Sequence, residues 1–140
     1  MNRFVAGTIL GFLAFGASAF GAVDWQQDYD VGLAKARKDK KLVMVDLYTD
    51  WCGWCKKLDK DTYANKDVAD KLTKDFVAVK LNPEKSPTGL KLARQFGTRG
   101  YPHIVFLSAD GNKVSEIGGY LPPKDFLKQL EMVSDKAAKK

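Results

Sequence analysis

The sequence has almost no cysteine and almost no histidine: two of the first and one of the second in 140 residues. Two cysteines cannot form a disulfide-stapled scaffold. Together with a single His they also fall short of the four ligands that a structural zinc site takes, so no resident metal is expected. A thiol pair that carries copper is the one metal reading left open. There is no internal repeat and no low-complexity stretch, which excludes repeat arrays and biased linkers. Blocks of one charge sign are also missing. Lys56-Lys57-Leu58-Asp59-Lys60-Asp61 mixes both signs, so the net charge of +6 reads as solvated helix faces and not as a nucleic-acid footprint. What remains is ordinary globular material, 45% hydrophobic and 29% charged, enough for one domain with its own core.

The N-terminus is set apart from this domain. Met1-Asn2-Arg3 is a short positive start, Phe4 to Gly16 is uncharged and apolar, and Ala17-Ser18-Ala19 has the small-x-small form of a cleavage site. This order predicts a secretory signal peptide over residues 1–19, with a second cut point after Gly21. The alternative is an uncleaved anchor, because no charge occurs from Phe4 to Val23 and that length just reaches a bilayer span. No cysteine lies near the junction, so a lipid anchor is not expected. Both readings place the single domain, residues 20–140, outside the cytoplasm.

Within that domain, Val31 to Lys40 reads as a helix with Asp30 as its cap and Val31, Leu33 and Ala34 on its apolar side. Leu42 to Tyr48 is a nearly continuous apolar run, as in a strand buried on both faces. A charged helical stretch follows Cys55, and Asn65 opens a further helix carrying Val68, Ala69 and Leu72. Phe76 to Leu81 is a second strand, Asn82 to Gly89 a loop, and Leu90 to Phe96 a short helix stopped by Gly97. His103 to Leu107 and Lys113 to Ile117 are strands joined by a turn at Ala109 to Asn112. Pro122-Pro123 starts a last helix with Phe126, Leu127, Leu130 and Val133 on its apolar face. The expected class is α/β: a mixed sheet of four to five strands with helices on both faces.

The chemistry centres on Cys52-Gly53-Trp54-Cys55, where a buried strand gives way to a helix. Free N–H groups and the positive dipole end of the first turn favour a thiolate at Cys52, which should titrate below the ordinary value of about 8.5. Residues three apart on a helix are neighbours, so Cys55 can reach the Cys52 sulfur. Cys52 is expected at the exposed end as the attacking thiol, with Cys55 one turn inside to resolve the mixed disulfide. A merely structural bridge is a poor alternative, because a four-residue loop confers only about 2 kcal/mol in the chain-entropy model.

Two charged residues interrupt apolar strands. Asp46 lies six residues before Cys52, and Lys80 breaks the neighbouring strand. Burial should raise the Asp46 carboxyl, and an adjacent Lys80 would offset it. The functional reading is a proton acceptor for Cys55; the plain one is a structural ion pair. His103 follows Tyr101-Pro102 and lies either near the thiols or against a helix.

From Lys41 to Val133 the chain resembles thioredoxin. The resemblance rests on Val45-Asp46, Trp51-Cys52-Gly53-x-Cys55-Lys56, Val79-Lys80-Leu81-Asn82, Arg99-Gly100-x-Pro102, Asp110-Gly111 and Gly119, in order and spacing. It implies the thioredoxin fold and thiol–disulfide exchange, with Cys52 as nucleophile, Cys55 as resolving thiol, and Asp46 and Lys80 as the buried pair beneath Cys55. It makes Pro102 a cis-proline facing the disulfide, with Tyr101 presenting backbone to an extended substrate and Gly119 beside that groove. Trp51, Gly53 and Trp54 complete the substrate-binding set. Trp54 departs from the family, which has proline there. Asp61 to Val68 is similar to the thioredoxin-like domains of secreted bacterial proteins, among them the C-terminal domain of the membrane thiol:disulfide interchange reductase. These likenesses imply a periplasmic disulfide reductase that needs no cofactor beyond the Cys52–Cys55 pair. Its substrates would be protein or small-molecule disulfides and its electron donor a membrane thiol reductase. Nucleic acid is not expected, and the short chain favours a monomer. An oxidase or isomerase on the same fold, or a non-enzymatic metal carrier or chaperone, are the alternatives.

Overall fold

The computed structural model describes residues 22–140. The expected leader and its cleavage positions lie outside the described residues. Five strands form one sheet in the order β1-β3-β2-β4-β5. They are β1 (Trp25–Gln26), β2 (Leu42–Leu47), β3 (Phe76–Leu81), β4 (His103–Leu107) and β5 (Lys113–Gly118). The first three run parallel, and β4 and β5 add antiparallel pairs. The helices are α1 (Tyr29–Asp39), α2 (Gly53–Lys57), α3 (Lys66–Asp75), α4 (Pro87–Gln95) and α5 (Pro123–Ala138). A π-helical segment, Leu58–Thr62, continues α2.

β2 is apolar except at Asp46 because both of its faces are covered. Its even-numbered side, with Met44, meets Phe76, Ala78, Ile104 and Phe106, and is closed by Leu58, Tyr63, α3 and α5. Its odd-numbered side, Val43, Val45 and Leu47, packs with Val77, Val79, Val105 and Leu107 beneath α1 and α4. This period-two division is what an alternating side-chain direction requires. Asp46 therefore faces the layer that contains the π-helical segment, α3 and α5. The expected mixed sheet with helices on both faces is present, and β3 and β4 have the expected limits.

Three local expectations are corrected. Helix α1 starts earlier: its cap is Asp28, whose Oδ1 accepts from the Val31 N–H at 3.0 Å, and Asp30 lies inside the first turn. Its inner face is Gly32, Leu33 and Ala36, while Val31 and Ala34 face solvent. Gly32 is required by close packing, because a Cβ there would stand 2.5 Å from Val79 Cγ2. Helix α4 begins at Pro87 and not Leu90: the Ser86 hydroxyl accepts from the Gly89 N–H at 3.0 Å and Pro87 takes the first helical position. Strand β1, too short to show a period, was not expected; it pairs Trp25 with Ala78 and Gln26 with Val79.

The topology brings the functional ends together. β2 runs out at Leu47, and the following residues deliver Cys52 to the start of α2. β4 is antiparallel to β2, so its first residue, His103, pairs with Leu47. Pro102 thus arrives at the same end of the sheet. Among the described residues, no helix is long and apolar enough to cross a membrane.

Candidate active site

Cys52 is the N-cap of α2, and its sulfur accepts the Cys55 backbone N–H at 3.1 Å. A disulfide joins Cys52 to Cys55, with Cα atoms 5.3 Å apart. The expected contrast in exposure is corrected: Cys52 is 4% exposed and Cys55 3%. Burial therefore does not distinguish the two sulfurs in the oxidised state. Their bonding does, because the N–H at the helix start points at Cys52, where it would stabilise negative charge once the disulfide opens.

Two exposed indoles flank the disulfide, Trp51 at 67% and Trp54 at 59%. Neither is left unattached. The Trp51 N–H donates to Glu84 Oε1 at 2.7 Å, and its ring meets the edge of Tyr101 at 6.0 Å between centroids. Trp54 lies against Tyr120 at 5.6 Å. Tyr120 in turn carries the Lys57 ammonium over its ring and donates weakly to Asp61. Gly53 has open space around it. The Tyr101–Pro102 peptide bond is cis. The Gly119 N–H donates to the Pro102 carbonyl at 2.9 Å, and Gly119 adopts φ +89°, a backbone conformation that side chains disfavour.

Beneath this surface, Asp46 and Lys80 are partners across β2 and β3. Asp46 is 1% exposed. Its Oδ2 accepts from the Tyr63 hydroxyl at 3.1 Å and from Lys80 Nζ at 3.3 Å, while Oδ1 has no partner among the described residues. Burial raises the Asp46 carboxyl above the usual carboxylate range; Lys80 and the Tyr63 bond oppose this, and Asp59 adds to it. Burial also lifts the Tyr63 phenol well above 10, with the Asp46 charge adding to the effect.

Lys80 is held by more than Asp46. It also forms an ion pair with Asp59, and its ammonium lies 4.8–5.2 Å from the ring centroids of Trp25, Tyr48 and Tyr63. This aromatic cage and second carboxylate were missed in the sequence. Asp59 looked like one charge in a solvated helix face. Its signal was its spacing, four residues beyond Cys55, which places the two on one side of a helix. The hydrogen bonds of His103 go to neither the thiols nor a helix: Nδ1 lies 2.8 Å from Thr98 Oγ1 on the connection before β4, and Nε2 2.8 Å from Glu116 Oε2 on β5. Among the described residues no cluster of three or more His, Cys, Asp or Glu is arranged to hold a metal.

A dicysteine pair at a helix start, a cis-proline at the same end of a mixed sheet and a buried Asp46–Lys80 pair across its parallel strands define a thiol–disulfide oxidoreductase of the thioredoxin type. The profile of the thioredoxin-like domain matches residues 29–134, and the chain belongs to that family. It is 36% identical over 101 residues to the thiol:disulfide interchange protein DsbD of Vibrio cholerae, a match covering 70% of this chain and 17% of that protein. The chain thus spans about a sixth of the length of the curated relatives it matches. A thioredoxin from Thermus thermophilus superposes with a TM-score of 0.73 at 28% identity, covering 81% of this chain and 88% of that one. The DsbD C-terminal domain of Neisseria meningitidis in its oxidised form superposes at 0.64, with 20% identity and 74% and 90% coverage.

Proposed function

We propose that the protein is a periplasmic reductase of disulfides, exported by a signal peptide over residues 1–19 and working without a cofactor other than its own cysteine pair. The observation that carries this reading is the Cys55 N–H aimed at the Cys52 sulfur, at a helix start flanked by the exposed indoles of Trp51 and Trp54.

The reaction starts from the reduced pair. Cys52 thiolate attacks one sulfur of a substrate disulfide; the new Cys52–sulfur bond forms as the substrate bond breaks, and the departing thiolate takes a proton. Cys55 then gives its proton to Asp46 and attacks the Cys52 sulfur. The Cys52–Cys55 bond forms, the second substrate thiol leaves, and two electrons have passed to the substrate. Lys80 tunes Asp46 through their contact. The backbone at Tyr101 and Pro102, with Gly119 alongside, lines up an extended substrate across the disulfide. Trp51 and Trp54 provide apolar area at its sides. A membrane thiol reductase supplies the electrons that restore the dithiol, a reading favoured by the likeness to a domain of DsbD.

The direction of flow is tested by equilibrating the protein with glutathione. A potential near about −270 mV supports a reductant, and one near about −120 mV would make it an oxidant. Location is tested by fractionating cells that express the full chain: a mature form in the periplasm lacking residues 1–19 supports the proposal, and an uncleaved cytoplasmic form overturns it.

A further inference from the structure

Thr98, His103 and Glu116 form a hydrogen-bonded chain that the exchange chemistry does not use. His103 is 8% exposed, yet both of its ring nitrogens are engaged at 2.8 Å. Lys113 bonds the other oxygen of Glu116 at 2.7 Å, and Lys113 and His103 together hold the Glu116 carboxyl below the usual range. An ionised Glu116 only accepts, so Nε2 of the imidazole carries the proton between them, while Nδ1 shares a hydrogen bond with the Thr98 hydroxyl.

The location of this chain gives it meaning. Thr98 belongs to the short connection between α4 and β4, the segment that ends in Tyr101 and cis-Pro102. At its start this connection is tied to α4 by the Thr98 N–H, which donates to the Ala93 carbonyl. It is tied to the sheet at its end by the Gly119 N–H on the Pro102 carbonyl and at its start by the Thr98 side chain on His103, which is in turn fixed to β5 through Glu116. Tyr101 then meets Trp51, the residue before Cys52. The connection is thus clamped from both ends around the backbone of residues 99–101. These residues border an open groove whose lining also includes Pro102, Gly119 and the His103–Glu116 pair itself.

We propose that His103 is a positioning residue: by holding Thr98 against β5 it fixes the 98–102 connection in the shape that receives a polypeptide, and so selects polypeptide disulfides over small-molecule ones. The inference rests on the exchange reaction proposed above and names its substrate class. A small disulfide needs only access to the Cys52 sulfur. A polypeptide also brings peptide groups that must meet the connection in register, and a connection that wanders would forfeit that alignment.

The test uses pre-reduced full-length protein with two probes, insulin and bis(2-hydroxyethyl) disulfide. Thr98→Val and His103→Leu should raise the half-saturating insulin concentration about five- to tenfold, the order expected for one lost hydrogen bond. The limiting rate and the rate with bis(2-hydroxyethyl) disulfide should not change. Thr98→Ser, which keeps the hydroxyl, should restore wild-type behaviour. Thr98 lies on the half-buried connection, so its variants report even where His103→Leu fails to fold. An equal fall on both probes, or no change on insulin, overturns the positioning role. A wild-type protein that reduces neither probe overturns the exchange reading and this inference with it.

Discussion

Lys80 stands opposite Asp46 on the neighbouring parallel strand, with its ammonium 3.3 Å from the carboxylate, and it is shared with a second carboxylate on Asp59. One cation thus serves two acids of unequal burial: Asp46 is 1% exposed, whereas the Asp59 side chain is 47% exposed. The arrangement leaves Asp46 under-compensated, and its carboxyl is raised accordingly, with burial as the leading cause.

That direction sets a stability prediction. A carboxyl whose folded pKa is raised holds its proton longer in the folded state than in the unfolded chain. Folding is then favoured below the unfolded value of about 3.9 and loses that advantage as pH rises through the folded value. Asp46→Asn removes the ionisation. Its thermal midpoint should exceed that of the wild type at pH 7–8, and the gap should close towards about pH 4. Circular dichroism melts across this range check it; a gap that widens on acidification would contradict the assignment.

The shared cation also predicts opposite effects on the pH dependence of exchange. Asp59 raises the Asp46 carboxyl and Lys80 lowers it. Asp59→Asn should therefore let Asp46 ionise at lower pH and move the rising limb of the rate profile towards acid. Lys80→Met should move it towards base. Single-turnover rates from pH 5 to 9 test both, and shifts of the same sign in the two variants would exclude Asp46 as the proton acceptor.

Packing supplies an independent check on the fold. Gly32→Ala places a Cβ against Val79, and α1 must move off the sheet to admit it. A loss of about 1–3 kcal/mol is expected, as for other overpacked cores, measured by urea unfolding. Exchange rates of the folded variant should stay close to wild type, because α1 lies on the face away from Asp46.

Much of this architecture was legible from single residues. The apolar runs gave β3 and β4 their limits, and Asn65 announced α3 because its side chain accepts the Asp67 and Val68 N–H groups. The cysteine pair and the interrupting Asp46 and Lys80 pointed to the site. Features that depend on distant partners were hidden. β1 has two residues and exists only through β3. The loop reading of Pro87 to Gly89 followed turn-forming composition, although Ser86-Pro87 was equally a helix-start pair. Asp59 and Tyr63 became part of the site only because the chain after Cys55 turns its inner side towards Lys80 and Asp46. Cys52 was expected to be exposed, yet it is buried in the disulfide while the neighbouring indoles of Trp51 and Trp54 stand outside.

The most direct measurement is covalent trapping. Reduced Cys55→Ser protein, mixed with a disulfide-bonded peptide and digested, should carry the peptide on Cys52, and the adduct should persist because no second thiol releases it. Cys52→Ser should form no such adduct at a comparable rate and should not turn over. Peptide captured at equal rate by Cys55 in the Cys52→Ser variant would contradict the account.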